Sequence, residues 1–171
     1  MIHETVEVGV IVERRALDNP WIDHTWFPVA ILTGAPSATP WTVLHESEDV
    51  TRYYAGTATI DFFDTDTVMY RENLRSKSPS LWVALRHGNS FPGVFVQLVT
   101  ADPADAEALT ETGTDIIEAV SMPTEIQKQL ALFIERHHVE RPFIKRKRDK
   151  ANLDALGRRK PDVLNKDDRH D

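Results

Sequence analysis

Hydrophobic and polar residues alternate over several short stretches of the chain, which is the pattern of half-buried β-strands. The clearest case is near the start, where valines at positions 6, 8, 10 and 12 fall on one face of an extended segment. Turn residues such as Gly, Pro, Asn and Asp separate these stretches. The alternation predicts six strands, over residues 5–15, 26–32, 41–45, 52–63, 81–86 and 94–98.

Particular residues refine these predicted strands. Pro28 confines the second strand to a sheet edge, because proline cannot donate a ladder hydrogen bond. Gly56 predicts a bend in the long fourth strand, in which alternation places Tyr54 on one face and Tyr53 on the other. The last two strands are separated by a short glycine-containing turn, so we expect them to pair as an antiparallel hairpin. Of the four tryptophans, Trp21, in the Asn-Pro-Trp turn, is the one that we expect to be exposed.

Helical patterns follow the strands. A helix is predicted to begin at Pro103, with acidic residues in its first turn, and to stop at Gly113. For the segment that begins at Thr65, a shorter helix capped by Thr65 or Asp66 and an extended conformation are alternatives. The last helix is expected to open with a capping box at residues 124–127 and to pack one apolar face on the sheet. That face carries Ile126, Leu130, Phe133, Ile134 and His137.

Strands first and helices last, without alternating βαβ units, indicate the α+β class with an antiparallel sheet. We expect a barrel-like or strongly curved sheet of about six strands, covered by the C-terminal packing helix. Periodicity leaves a closed barrel and an open sheet as alternatives. It also leaves the short segment 116–120 without an assigned type.

Charge divides the 171-residue chain into two parts. Residues 1–135 hold 8 Lys and Arg against 20 Asp and Glu, whereas residues 136–160 hold 10 against 3. We therefore expect a single acidic domain over residues 1–144 and a basic, then mixed-charge, flexible tail over residues 145–171. The chain has no cysteine, no apparent secretory signal and no apolar run long enough for a membrane span, which favours a cytoplasmic protein.

No catalytic motif is present. The 7 glycines are scattered rather than grouped in a phosphate-binding loop, and a Gly-x-Ser-x-Gly elbow is absent. His137 and His138 are adjacent, so on a helix they point about 100° apart and do not share a metal. We expect a packed His137 beside an exposed His138. An acidic group at Asp61, Asp64, Asp66 and Glu72 lacks the glycine and late glutamate of a calcium-binding loop. The sequence thus favours a non-enzymatic protein without metal or cofactor.

The joint between the acidic domain and the basic tail, residues 133–148, is the predicted contact surface. Pro142 is expected to end the last helix, and apolar residues interrupt the positive charges beyond it. A protein partner fits this composition better than nucleic acid, which the acidic domain would repel. The predicted partner-binding residues are Arg136, His138, Arg141, Phe143, Lys145, Arg146, Lys147 and Arg148.

Several motifs resemble those of a known bacterial family. They are Val-Glu-Arg-Arg at 12–15, Asn-Pro-Trp at 19–21, Tyr-Arg-Glu-Asn-Leu at 70–74, Pro-Ser-Leu-Trp-Val at 79–83, Val-Thr-Ala-Asp-Pro at 99–103 and the whole of 133–148. They are similar to those of a domain family of unknown function whose genes lie beside formate dehydrogenase genes. Its members are sometimes labelled molybdopterin-guanine dinucleotide biosynthesis proteins.

The resemblance implies an accessory role in assembly or maturation of a molybdenum-dependent formate dehydrogenase, with that enzyme or its maturation factors as the partner. It supplies no catalytic residues. A guanylyltransferase would carry a glycine-rich loop near its N-terminus, whereas residues 8–15 contain a single glycine. Protein binding is therefore the main hypothesis. A molybdopterin cofactor-handling protein and a nucleic-acid-binding regulator that uses the basic tail are the alternatives.

Overall fold

The computed structural model describes residues 1–139, and Met1–His138 form one compact unit. The six predicted strands are present and most of them are longer than predicted. The predicted tail, residues 145–171, lies outside the described residues. In chain order the elements are β1 (His3–Ala16), β2 (His24–Thr33), β3 (Thr42–Glu46), β4 (Val50–Phe63), a 3₁₀ turn (Asp64–Asp66), α1 (Thr67–Arg75), β5 (Ser80–His87), β6 (Val94–Thr100), α2 (Pro103–Thr112), β7 (Asp115–Ser121) and α3 (Thr124–His137).

The strands form two antiparallel sheets rather than the single sheet expected from the sequence. One has the order β2-β1-β4-β3 and the other β6-β5-β7. The class is α+β as predicted, but residues 1–139 contain no closed barrel. The difference arises at residues 116–120, which belong to β7. All of β7, Asp115–Ser121, pairs with β5. Alternation identifies a strand but not its partner, so a second sheet was not foreseen.

The predicted bend at Gly56 is a β-bulge. The register between β1 and β4 shifts just after Val10, opposite Gly56, which has a φ of 111°. Because a bulge adds a residue, Tyr53 and Tyr54 do not keep to the faces that strict alternation assigns to them. Tyr53 joins the main core cluster, whereas Tyr54 is buried outside that cluster and donates its hydroxyl to the carbonyl of Pro36 at 2.6 Å. Pro28, as predicted, lies in an edge strand.

One continuous hydrophobic core connects both sheets with α1 and α3. The predicted apolar face of α3 is confirmed, since Ile126, Leu130 and Phe133 are buried. The Phe133 ring packs against Phe62 of β4 and Tyr70 of α1, with centroids 5.7 and 6.4 Å apart. These aromatic contacts fix α3 to α1 and to the end of β4.

The helix ends follow the sequence signals only in part. Asp102 caps α2 by accepting a hydrogen bond from the Ala104 amide at 2.9 Å, and Gly113 ends the helix with a φ of 69°. The predicted capping box of α3 is wrong, because Pro123 holds the cap position and the following threonine is already helical. Gln127 instead donates to the carbonyl of Met122 at 2.9 Å.

Candidate partner-binding site

The last turn of α3 is the part of the predicted contact surface that the structure describes. The helix ends at His137, five residues before Pro142, so the expectation that this proline ends it is wrong. At His138 the backbone becomes extended, while its N–H still bonds the Ile134 carbonyl at 2.8 Å. The His138 Nδ1 atom is 2.8 Å from the hydroxyl of Thr67 in α1. This contact fixes the point where the chain leaves α3.

The two neighbouring imidazoles point to different surroundings, as predicted. His137 packs on the Phe133 ring with centroids 4.8 Å apart, and only 18% of its side chain is exposed. Its Nε2 lies 3.6 Å from Glu4 Oε1, and it has no hydrogen-bond partner among residues 1–139. His138, expected to be exposed, is half-buried because of its contact with Thr67.

Arg136 is the most accessible of the predicted binding residues that are described. Its side chain is 57% exposed and its Nη1 lies 3.5 Å from Glu4 Oε1. A surface ion pair at this distance holds a guanidinium only weakly, so Arg136 is available to another carboxylate. Six predicted binding residues lie outside the described residues, namely Arg141, Phe143, Lys145, Arg146, Lys147 and Arg148. The binding role of all eight stays a prediction.

The acidic group seen in the sequence is divided in the structure. Asp61 pairs with His3, with 2.8 Å between its Oδ1 and the imidazole Nε2. Asp66 lies close enough to Asp102 and Asp105 for their negative charges to affect its pKa. Burial, and then these two carboxylates, raise the pKa of Asp66. In the described part of the chain no three His, Asp or Glu side chains are grouped so that they could hold a metal ion.

Asn73 has a structural role that the sequence patterns missed. Its buried amide donates to the carbonyls of Ser80 and Ala101 at 2.8 and 2.9 Å, and its Oδ1 accepts from the Ser80 amide at 3.0 Å. The side chain therefore joins α1 to the start of β5 and the end of β6. An asparagine inside a helix, beside apolar residues, is an unfavourable choice unless its side chain is satisfied. That conflict was the signal available in the sequence.

A groove lies where the beginning of β2 meets the β5–β6 turn and β7. It encloses about 480 Å³, and its walls are mostly apolar: Leu17, Ile22, Trp26, Pro92 and Ile116, with His24 and His87 among them. Periodicity gave no sign of this groove, because its walls come from four separate parts of the chain.

Two strongly exposed aromatic residues are sequence neighbours of residues that line this groove. Trp21 is 89% exposed, as its position in an Asn-Pro-Trp turn predicted, and Phe91 is 74% exposed. Their neighbours in the chain, Ile22 and Pro92, form part of the groove wall. Clusters of exposed apolar groups next to a concavity are typical of contact surfaces.

Among residues 1–139 no helix is both long and apolar enough to cross a membrane.

Comparison with known proteins gives one match. A family model described as "Protein of unknown function (DUF3305)" matches residues 7–147. No curated protein and no solved structure matches the chain.

Proposed function

We propose that this chain, which belongs to the DUF3305 family, is a non-enzymatic accessory protein that binds a protein of a molybdenum-dependent formate dehydrogenase system during its assembly or maturation. The choice of enzyme rests on the resemblance of the sequence motifs, above all residues 133–148. The mode of action, protein binding, rests on the end of α3.

The observation that carries the proposal is the anchored exit of the chain from α3. The contact between His138 and Thr67 holds the last described turn against α1. Arg136, one residue before the helix end, is largely exposed. The block of Lys and Arg at 145–148 begins seven residues after His138, so a defined surface precedes a strongly basic sequence. Charges so placed accelerate and orient association with an acidic partner surface, and an adjacent Phe143 supplies an apolar anchor.

The test is co-purification from cells that express the formate dehydrogenase and its maturation factors. Full-length tagged chain is compared with a variant in which Lys145, Arg146, Lys147 and Arg148 are all replaced by serine. We expect the variant to recover less of the partner and to lower formate dehydrogenase activity in the cells. Its melting temperature should equal that of the parent chain.

A matched control separates position from net charge. Serine at Lys150, Arg158, Arg159 and Lys160 removes an equal number of positive charges, four, from a later part of the chain. We expect this variant to retain association and activity. Equal losses in both variants would show a general charge effect rather than a site. If the first variant keeps association and activity but loses affinity for DNA or RNA, the protein is a nucleic-acid-binding regulator and the proposal is wrong.

A further inference from the structure

Two depressions of different chemistry adjoin at His24. The first is the apolar groove, whose wall includes Ile22 and Trp26. The second encloses about 310 Å³ and is lined by Asp23, His24, Glu48 and Asp49, together with Arg14. His24 lies between them, and its Nδ1 is 2.6 Å from Asp23 Oδ1. A ligand that crosses His24 thus passes from apolar walls to acidic ones.

The apolar half is suited to a large hydrophobic side chain. Trp26, at its base, is buried and packs against Trp41 and Tyr53, so this part of the wall is rigid. The rim is accessible, with Ile22 56% exposed and Trp21 89% exposed. A rigid pocket surrounded by exposed aromatic and aliphatic groups is the usual setting of a binding hot spot.

The acidic half favours positive charge. Three carboxylates face one guanidinium, and that guanidinium lies 5.8 Å from the centroid of the Tyr53 ring, where the aromatic face already attracts it. Glu48 and Asp49 are exposed, and neither side chain is engaged in a hydrogen bond or ion pair with another described residue that would neutralise it. The position is held by the backbone, because the Ala16 amide donates to the Asp49 carbonyl at 2.8 Å.

We propose that this composite groove binds an extended segment of a partner protein in which a large apolar side chain is followed by lysine or arginine. Charge complementarity selects this occupant. A second copy that docked through its acidic domain, with 20 Asp and Glu against 8 Lys and Arg in residues 1–135, would be repelled. Residues 143–148 of the chain itself, Phe-Ile-Lys-Arg-Lys-Arg, share the composition of the proposed segment, so their occupancy of the groove is tested separately below. The same charge disfavours nucleic acid.

The groove is separate from the last turn of α3, which is the described part of the predicted contact surface. Glu4, which contacts Arg136, is near the start of β1, whereas Leu17 follows its end. A strand rises about 3.3 Å per residue, so 13 residues separate these positions by up to about 43 Å. The groove therefore does not depend on the function proposed above, and each proposal fails or holds by its own experiment.

The probe is a fluorescein-labelled peptide, Gly-Ser-Leu-Phe-Lys-Arg-Lys-Gly, titrated with the full-length chain and followed by fluorescence anisotropy. Two further peptides replace its Lys-Arg-Lys with three glutamates or its Leu-Phe with two serines. We expect saturable binding of the first peptide only. Its affinity should fall as salt increases, because the basic residues meet exposed carboxylates.

Matched variants place the site. The double charge reversal Glu48→Lys with Asp49→Lys should weaken binding by about tenfold. The same reversal at Glu107 and Glu111 on the exposed side of α2 should leave binding unchanged. Ile22→Ser should weaken binding by about fivefold, whereas Leu132→Ser, at a similarly exposed leucine of α3, should not.

Several results would overturn the proposal. They are absence of saturable binding, equal binding of the glutamate peptide, or unchanged affinity in both groove variants. In sedimentation velocity, a two-copy assembly that Ile22→Ser dissociates would show that the groove is filled by a second copy. Much tighter peptide binding by the variant with serine at Lys145, Arg146, Lys147 and Arg148 than by the parent chain would show that the chain's own basic segment fills the groove.

Discussion

Replacement of Asn73 by aspartate exchanges the side-chain NH₂ group for an oxygen atom. The Asn73 side chain joins α1 to the start of β5 and the end of β6. The amide nitrogen donates to the Ser80 and Ala101 carbonyls at 2.8 and 2.9 Å. Aspartate retains the size of the side chain and the acceptor for the Ser80 amide. It removes both donors and, at neutral pH, sets a negative oxygen against two carbonyl oxygens.

The expected cost follows from the two carbonyl groups left without a donor. Each unsatisfied buried group costs about 1–3 kcal/mol, so Asn73→Asp should lower the free energy of unfolding by about 2–6 kcal/mol at pH 7. For a protein of this size that corresponds to a fall in Tm of roughly 10 °C. Burial near carbonyls raises the pKa of the new carboxyl above its unfolded value. Its protonated form donates one hydrogen bond, so stability is regained below about pH 4 and lost as pH rises through the folded pKa.

Urea unfolding of the full chain at several pH values, followed by circular dichroism, measures this effect. Asn19→Asp is the matched control, because Asn19 is exposed and uses its Oδ1 only as an acceptor from the Trp21 amide at 2.8 Å. The control should remain within about 0.5 kcal/mol of the parent. If Asn73→Asp also stays within that margin at pH 7, the amide is not a structural clamp and the reasoning is wrong.

Three further predictions concern stability. Gly9→Ala should cost about 1–3 kcal/mol in urea unfolding, because the added Cβ would lie 2.7 Å from Cε2 of Tyr54; an unchanged midpoint would contradict this close packing. The hydrogen bond from Arg52 holds the pKa of Glu13 below its usual range, so the ionised Glu13 contributes stability above about pH 4 and this contribution is lost as pH falls further. Glu13→Gln should therefore flatten the acid limb of the curve of stability against pH. An unchanged acid limb would show that the Glu13–Arg52 pair does not cause it. Burial raises the pKa of Tyr70 to about 12, so stability should decrease as pH rises from about 10 to 12. Tyr70→Phe should remove part of that decrease. An identical alkaline profile in the variant would show that Tyr70 is not the group responsible.

The motifs that carry the family resemblance have structural roles in the described residues. Tyr70 and Asn73 belong to the Tyr-Arg-Glu-Asn-Leu motif, in which the first fills the core beside Phe133 and the second binds the hairpin backbone. Val12 of the Val-Glu-Arg-Arg motif and Phe133 of the last motif likewise belong to the core. A motif shared with a family is therefore not by itself a binding site, and the exposed Arg136 and the basic residues after it are better candidates for recognition.

Local patterns determined much of the secondary structure. Alternation located six strands, and the apolar spacing of Ile126, Leu130 and Phe133 located α3 and the face it buries. These signals are reliable because each is set within one element by which side of that element meets water. The exposure of Trp21 followed equally from its position in a turn.

Tertiary structure decided the features that depend on distant parts of the chain. The pairing of β7 with β5 created the second sheet, and the bulge at Gly56 exchanged the faces that alternation assigns to Tyr53 and Tyr54. The chain leaves α3 at His138, which contacts Thr67, 71 residues earlier, and not at the nearby proline. The groove has the same origin, because its walls come from four segments that no local pattern connects. Periodicity records which side of an element is buried, whereas partners, bulges and concavities arise only from contacts between elements.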